Sequence, residues 1–313
     1  MAAVTAAMVK ELREQTGAGM TDCKKALTET NGNMEEAVEV LRKNGQAKAV
    51  KKESRIAAEG LCCIACSDEC TAAVVEVNSE TDFVAKNETF REFVEAVARQ
   101  AVNSGAADMD AFMEEKWLED SSKTVKEVLV DKIAVIGEKL SIRRFEKVVA
   151  AEGCVATYVH GGGRIGVIVE AKTDVVNDAV KEALTNIAMQ VAALSPKYVA
   201  TSDVSEEYKE HEKEILKAQI AQDPKMEGKP EKVIEGAVMG RLNKELKEVC
   251  LLEQIYVKAE DGKQTVAQYV AQVAKENGAN LSISRFVRFE TGEGIEKKQE
   301  DFAAEVAAQM AGN

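Results

Sequence analysis

The sequence predicts an α+β protein whose core is a duplicated unit of order β-β-α-α-β. Two repeated segments indicate the duplication. Residues 57–60 (AAEG) recur as residues 150–153, and residues 140–145 (LSIRRF) return as residues 281–286 (LSISRF). Each AAEG segment precedes two β-rich runs, and each LSI segment closes its unit as a third strand. Helices should therefore cover one face of each small sheet.

Ahead of this core, the first 45 residues predict three short helices. Apolar side chains recur at helical spacing and are interrupted by breaks at 16–19, 31–32 and 44–45. A module of this size has only a marginal core by itself. A basic helical tail or linker follows, which either is a solvated connector or contacts a partner, and it carries Lys48, Lys51, Lys52 and Arg55.

Each core unit begins with a predicted hairpin and continues with amphipathic helices. The expected strands of the two hairpins are 61–66 with 72–77 and 154–159 with 165–171. In the second unit the helices are separated by an insertion that contains Pro196, Pro224 and Pro230. Because proline is excluded from helix interiors, two helical runs at about 203–221 and 231–248 should form an antiparallel hairpin.

The inserted hairpin carries an apolar stripe that something must cover. Either the facing helix or a partner protein could do so, and the facing helix is favoured. The stripe consists of Ile234, Val238, Leu242 and Leu246. After the break at 292–294, a last amphipathic helix is expected, with Phe302, Val306 and Met310 on one face.

These patterns divide the chain into five parts. The expected parts are the helical module and linker (1–55), a first core subdomain (56–149), a second core subdomain (150–195 and 249–290), the inserted hairpin (196–248) and a C-terminal helical module (291–313).

The composition argues against nucleic acid or a membrane surface as the main partner. In 313 residues, 41 basic side chains face 54 acidic ones, for a net charge of -13, a balance that suits a protein partner better. No stretch approaches the roughly 20 apolar residues of a membrane span, and the N-terminus lacks a secretory pattern. Seven cysteines without framework spacing favour a reducing compartment. We therefore expect a cytoplasmic protein.

Patterns that resemble catalytic or cofactor sites are weak. The 161–166 segment satisfies GxGxxG, but its glycines join two strands, whereas a dinucleotide site needs a strand followed by a helix. His160 beside those glycines resembles an esterase oxyanion loop, yet the chain has no GxSxG. We expect neither an enzyme nor a bound cofactor or metal. A cysteine cluster could hold zinc, react as redox thiols or lie in a strand, and its apolar setting favours the strand; it contains Cys62, Cys63, Cys66 and Cys70.

The most distinctive segment is 76–86 (EVNSETDFVAK), at the exit of the first hairpin. Its Thr-Asp pair at 81–82 recurs at 173–174 in the second unit, so we interpret that pair as architectural. Phe83 is replaced there by Val175 and is particular to the first unit. This aromatic would either pack in the core or anchor a partner's pocket, where it could contribute about 2 kcal/mol or more. The spacing favours neither alternative.

Two long segments resemble the signatures of the bacterial-type translation elongation factor Ts family. They are residues 12–27 (LREQTGAGMTDCKKAL) and the 76–86 segment, and the order of modules agrees along essentially the whole chain. The resemblance implies an N-terminal module similar to ubiquitin-associated domains, a two-part core, a helical hairpin and a C-terminal helix. The 104–124 stretch is longer than usual, and the cysteine-rich strand belongs to no family motif.

The resemblance also implies a function, which is guanine nucleotide exchange on the GTPase elongation factor Tu. In the family, the residues matching Asp82 and Phe83 enter the GTPase near its magnesium and phosphate site. The other implied contact residues are Thr81, Val84, Arg13, Met20, Lys24, Lys52 and His160. The alternative is a non-catalytic adaptor that tethers partners through its helical modules. The inserted hairpin could also mediate a homodimer or a two-plus-two complex.

Overall fold

A computed structural model describes residues 4–224, 226 and 228–296. It is a mixed helix and sheet protein, which confirms the predicted α+β class and its N-terminal three-helix module. That module consists of α1 (Ala6–Thr16), α2 (Met20–Glu29) and α3 (Met34–Lys52). The expected C-terminal helix lies outside the described residues.

The first core unit is a three-stranded antiparallel sheet with helices packed on it. Its elements are β1 (Glu59–Cys66), β2 (Thr71–Ser79), α4 (Asp82–Ala85), α5 (Glu88–Asn103), α6 (Met109–Glu114), β3 (Lys116–Trp117), β4 (Asp120–Thr124), α7 (Val125–Ile136) and β5 (Leu140–Val149). The strand order is β1-β2-β5, and α5 packs on β1 and β2. The two short strands β3 and β4, α4 and α6 were not predicted.

The second unit has a sheet of the same strand order, β6-β7-β8. Its elements are β6 (Cys154–His160), β7 (Ile165–Thr173), α8 (Asp178–Leu194), α9 (Glu206–Ala221), α10 (Glu231–Val249), α11 (Val266–Asn277) and β8 (Leu281–Glu290), with short 3-10 turns at Thr201–Asp203 and Leu251–Glu253. Residues 161–163 form the turn between β6 and β7, each at positive φ, so the glycines serve a strand-to-strand connection.

The two sheets pack against each other on the faces that the helices leave free. Their shared core includes Val74 from the first sheet and Ile168 from the second, and both are fully buried. A Cβ atom built on Gly166 would lie 3.0 Å from Val74 Cγ2, so a side chain there would push the sheets apart. Cys62, Cys63 and Cys66 lie in β1, whereas Cys70 lies in the bend before β2, so three of the four cysteines of the cluster lie in a strand.

The inserted hairpin covers its own apolar stripe. Val238 and Leu242 of α10 are buried against Leu216 and Ile220 of α9. The backbone N–H of Lys197 donates to a carbonyl at the end of α10 and closes the base of the hairpin. The facing helix therefore covers the stripe, as the sequence favoured.

The prediction that the third helix ends at 44–45 is wrong. Helix α3 continues through this Asn-Gly pair to Lys52 and packs along α7. Gly45 is buried, and a Cβ atom at this position would lie 3.3 Å from the Cβ of Ala134. The glycine therefore permits close helix packing here, and this packing offsets its low helix propensity.

Within the described residues, no helix is both long enough and apolar enough to cross a bilayer. In the same part of the chain, no group of three or more His, Cys, Asp or Glu side chains is placed to hold a metal ion.

Candidate partner-binding site

The Thr-Asp-Phe-Val segment forms α4, a single helical turn between β2 and α5. Thr81 is its N-cap, and the Thr81 hydroxyl accepts a hydrogen bond from the backbone N–H of Val84 at 3.3 Å. Val84 is half-buried against the first core and Ala85 is buried. Asp82 and Phe83 are exposed, so the turn presents one acidic and one aromatic side chain to solvent.

Phe83 has the largest exposed fraction of the large hydrophobic side chains that the structure describes, at 81%. By contrast, Phe90 and Phe93 of the neighbouring helix α5 are exposed by 0% and 2%. An aromatic ring left in water gains nothing for the fold, which makes it a candidate for burial against another molecule. The structure thus excludes the core alternative for Phe83.

Asp82 is paired with Lys86 one turn further along the chain. The Lys86 ammonium donates to the Asp82 carboxylate at 2.6 Å, and this hydrogen bond holds the pKa of the carboxyl below its usual range. Both side chains are more than half exposed. Exposed pairs of this kind contribute little to stability, so a partner could replace the lysine at low cost.

The pair at 81–82 is not the counterpart of the pair at 173–174. Thr173 ends β7 opposite the first residue of β8, in the same way that Ser79 ends β2 opposite the first residue of β5. Both hydroxyls also donate to the carbonyl oxygen two residues further on, at 3.1 and 3.0 Å. The equivalence inferred from the two Thr-Asp pairs is therefore wrong, because the matching letters are displaced by two residues in the sheet register. Thr81 still has an architectural role, as the N-cap of α4.

The corrected register makes α4 an insertion. Asn87 is the N-cap of α5 and Asn177 is the N-cap of α8. The chain from Ser79 to Asn87 is four residues longer than the chain from Thr173 to Asn177, and α4 is four residues long. The whole turn, and Phe83 with it, is particular to the first unit.

The predicted contact residues of the N-terminal module are exposed on its surface. Arg13 lies in the last turn of α1, while Met20 and Lys24 lie on α2. Met20 is 52% exposed. Arg13 also lines an open cleft of about 950 Å³ between the module and the first core unit.

The structure links Lys52 to the α4 region but places His160 in the other sheet. The Lys52 ammonium donates to the carbonyl oxygen of Gly137, which follows α7. His160 is exposed at the end of β6, where its Nδ1 lies 3.0 Å from the hydroxyl of Tyr158. Lys52 thus belongs near the Phe83 turn, and His160 belongs to a separate surface of the second unit.

Sequence reasoning missed one residue that contacts the Phe83 turn directly. Glu138, between α7 and β5, accepts hydrogen bonds from Thr81. One signal was present in the sequence. The position before the repeated LSI segment that matches Glu138 is occupied in the second unit by Ala279, a difference that a comparison of the two copies exposes.

Comparison with known proteins identifies relatives over almost the entire chain. The family described as Elongation factor TS matches residues 80–293. Elongation factor Ts of Clostridioides difficile (strain 630) is 53% identical over 311 residues, covering 99% of this chain and 100% of the relative. Elongation factor Ts of Clostridium botulinum (strain Eklund 17B / Type B) and that of Clostridium novyi (strain NT) are each 50% identical over 308 residues, covering 98% of this chain and 99% of the relative.

Identity at this level along the whole chain means that the relatives share its modules as well as its short motifs. The family match at residues 80–293 includes the α4 turn, β5 and the whole second sheet, and the relatives also cover the rest of the first sheet. The chain therefore belongs to the elongation factor Ts family of translation elongation factors.

Proposed function

We propose that this protein is a guanine nucleotide exchange factor that binds the GTPase elongation factor Tu and promotes GDP release during translation elongation. Family membership supports the partner. The observation that carries the mechanism is Phe83, an aromatic side chain that is 81% exposed on a turn whose N-terminal end is capped by Thr81. The factor works in the cytoplasm, catalyses no covalent step and requires no cofactor.

Exchange requires only differential binding. A factor that binds the nucleotide-free GTPase more tightly than the GDP-bound form must weaken GDP binding by the same factor. An acceleration of release by about a thousandfold corresponds to a barrier reduction of roughly 4 kcal/mol. Burial of one aromatic anchor supplies about half of this, and the loss of magnesium contacts supplies the remainder.

Phe83 and Asp82 divide this work. Phe83 acts as a wedge that enters the nucleotide-binding domain, and its exposure means that no folding energy is lost when it inserts. Asp82 perturbs the cation site with its carboxylate, after exchanging its Lys86 partner for a group of the GTPase. Thr81 and Val84 hold the turn that carries both side chains.

The remaining contact residues extend the surface in two directions. Arg13, Met20, Lys24 and Lys52 contact the nucleotide-binding domain through the N-terminal module, and His160 contacts another domain of the partner. We further propose that the chain has the five expected parts as its domains. The inserted hairpin mediates a homodimer or a two-plus-two complex.

The dissociation rate of a fluorescent GDP from elongation factor Tu tests this function. We expect strong acceleration by the protein and a loss of about thirtyfold in that acceleration with Phe83→Ala, which corresponds to about 2 kcal/mol. Binding without acceleration would instead indicate the adaptor. Normal exchange by Phe83→Ala would remove the wedge assignment.

A further inference from the structure

We propose that Glu138 is a positioning residue for nucleotide exchange, which holds the α4 turn in the shape that presents Phe83 and Asp82. The inference rests on the proposed function and deepens it. Glu138 does not lie on α4 and belongs to the connection between α7 and β5.

Glu138 binds the N-cap of α4 with both carboxylate oxygens. Its Oε2 accepts from the backbone N–H of Thr81 at 3.0 Å, and its Oε1 accepts from the Thr81 hydroxyl at 2.7 Å. Because the hydroxyl proton points to the carboxylate, an oxygen lone pair is free to accept the N–H of Val84. Hydrogen bonds to a charged acceptor are about twice as strong as neutral ones. Glu138 therefore sets the orientation in which Thr81 caps the turn.

The α4 turn depends on such external support. A helix of four residues is far below the length at which helices are stable by themselves. Phe83 and Asp82, the two outward residues, contribute no burial that would hold the turn in place. Its geometry is therefore decided by the inward packing of Val84 and Ala85 and by the cap that Glu138 completes.

The segment that contains Glu138 is itself tied to α3. The backbone N–H of Lys139 donates to Glu80 at 2.5 Å, and the Lys139 ammonium donates to two carbonyl oxygens just beyond the end of α3. Lys52 donates to the carbonyl oxygen of the residue before Glu138. The segment thus joins the end of the N-terminal module to the turn that carries Phe83.

The second core unit shows which of these contacts the fold requires. Asp174 accepts from the backbone N–H of Asn280 at 2.8 Å, as Glu80 accepts from Lys139 in the first unit. The residue before Asn280, however, is Ala279, which has no carboxylate. The sheet and its helices form without a counterpart of Glu138. The carboxylate occurs only in the unit that contains α4.

The test compares Glu138→Ala with wild type in the release of fluorescent GDP from elongation factor Tu. At saturating factor we expect a release rate about tenfold lower, equal to about 1.4 kcal/mol, with a half-maximal concentration changed less than the rate. Glu138→Gln should lose about threefold, because an amide offers one oxygen acceptor to two donors. The control Asp174→Asn removes the carboxylate that binds the corresponding connection of the second unit through the backbone N–H of Asn280, and this variant should exchange at the wild-type rate.

A double-mutant cycle with Phe83→Ala separates positioning from general stability. If Glu138 acts through the turn, Glu138→Ala in the Phe83→Ala background should lower the rate by less than twofold. If Glu138→Ala lowers the thermal midpoint of unfolding, the exchange rate of Glu138→Gln tests the inference instead, because glutamine keeps the side-chain volume.

The outcomes against this inference differ from those against the proposed function. A normal exchange rate for Glu138→Ala together with an impaired rate for Phe83→Ala would overturn the positioning role alone. The same conclusion would follow if the double mutant exchanged tenfold more slowly than Phe83→Ala. Normal exchange by both single variants would overturn the assignment of the exchange site and the inference with it.

Discussion

At the scale of single residues, exposure separates side chains of identical type. Phe83 and Phe93 lie in the same region of the chain, and each follows an acidic residue. The Phe83 side chain is nevertheless 81% exposed, whereas that of Phe93 is 2% exposed. Sequence spacing could not choose between core and anchor for Phe83, because a one-turn helix is too short to show a periodicity. The contrast provides a direct test of whether the Phe83 ring contributes to the stability of the fold.

We expect Phe83→Ala to leave the free energy of unfolding within about 0.5 kcal/mol of wild type, since the ring is in solvent. Phe93→Ala is the matched control and should cost about 3–5 kcal/mol, because it opens a cavity in the first core. Urea unfolding of both variants measures the difference. A large stability loss in Phe83→Ala would mean that the ring packs against the protein in solution.

At the scale of elements, α3 shows how packing overrides a local break signal. An Asn-Gly pair usually ends a helix, but here the helix runs on to Lys52 because Gly45 allows α3 to approach α7 closely. Lys52 and the carbonyl it binds beside Glu138 are brought together by this continuation. The length of α3 therefore bears on the geometry of the Phe83 turn.

Gly45→Leu should destabilise the protein by about 1–3 kcal/mol, because the new side chain must displace Ala134 and its neighbours. Gly236→Leu is the control within α10, where a Cβ atom meets nothing within 4 Å. That change should stabilise by about 0.5–1 kcal/mol through helix propensity. Thermal and urea unfolding check both values, and equal effects of the two substitutions would contradict close α3–α7 packing.

At the scale of the whole molecule, a buried carboxylate joins the two core units. Glu76 on β2 is fully buried and binds Arg143, Arg144 and the backbone N–H of Gly292 at 2.6–3.0 Å. Arg144 also donates to the carbonyl oxygen of Glu290 at the end of β8. Burial alone would raise the pKa of Glu76. Hydrogen bonds from Gly292, Asn78 and Arg143 and the positive charge of Arg144 instead lower this pKa below the ordinary 4.5.

Glu76→Gln should cost about 2–3 kcal/mol at neutral pH, since it removes the carboxylate partner of Arg143 and leaves Arg144 with Glu293 alone. A lowered pKa in the folded state gives stability that is present above pH 4.5 and is lost as the pH falls through the folded-state value. The difference between wild type and variant should therefore narrow below about pH 4.5. Urea unfolding at several pH values measures this difference, and a gap that widens toward acid would contradict the assignment.

The sequence by itself determined the family and most of the longer elements. Helices, hairpins and the inserted hairpin follow from side-chain periodicity and proline placement, which act within a few residues. The segments 12–27 and 76–86 are long enough to indicate the family without a structure.

The tertiary structure alone decided how distant residues meet. Strand register showed that the Thr-Asp pairs of the two units are not equivalent and that α4 is an insertion. The tertiary fold also places Glu138 next to Thr81. Because α3 packs closely along α7, Gly45 lies inside a helix contact and does not end the helix. The physical reason is that local pattern sets backbone conformation, whereas exposure, register and hydrogen bonds between residues far apart in the chain depend on how whole sheets and helices pack.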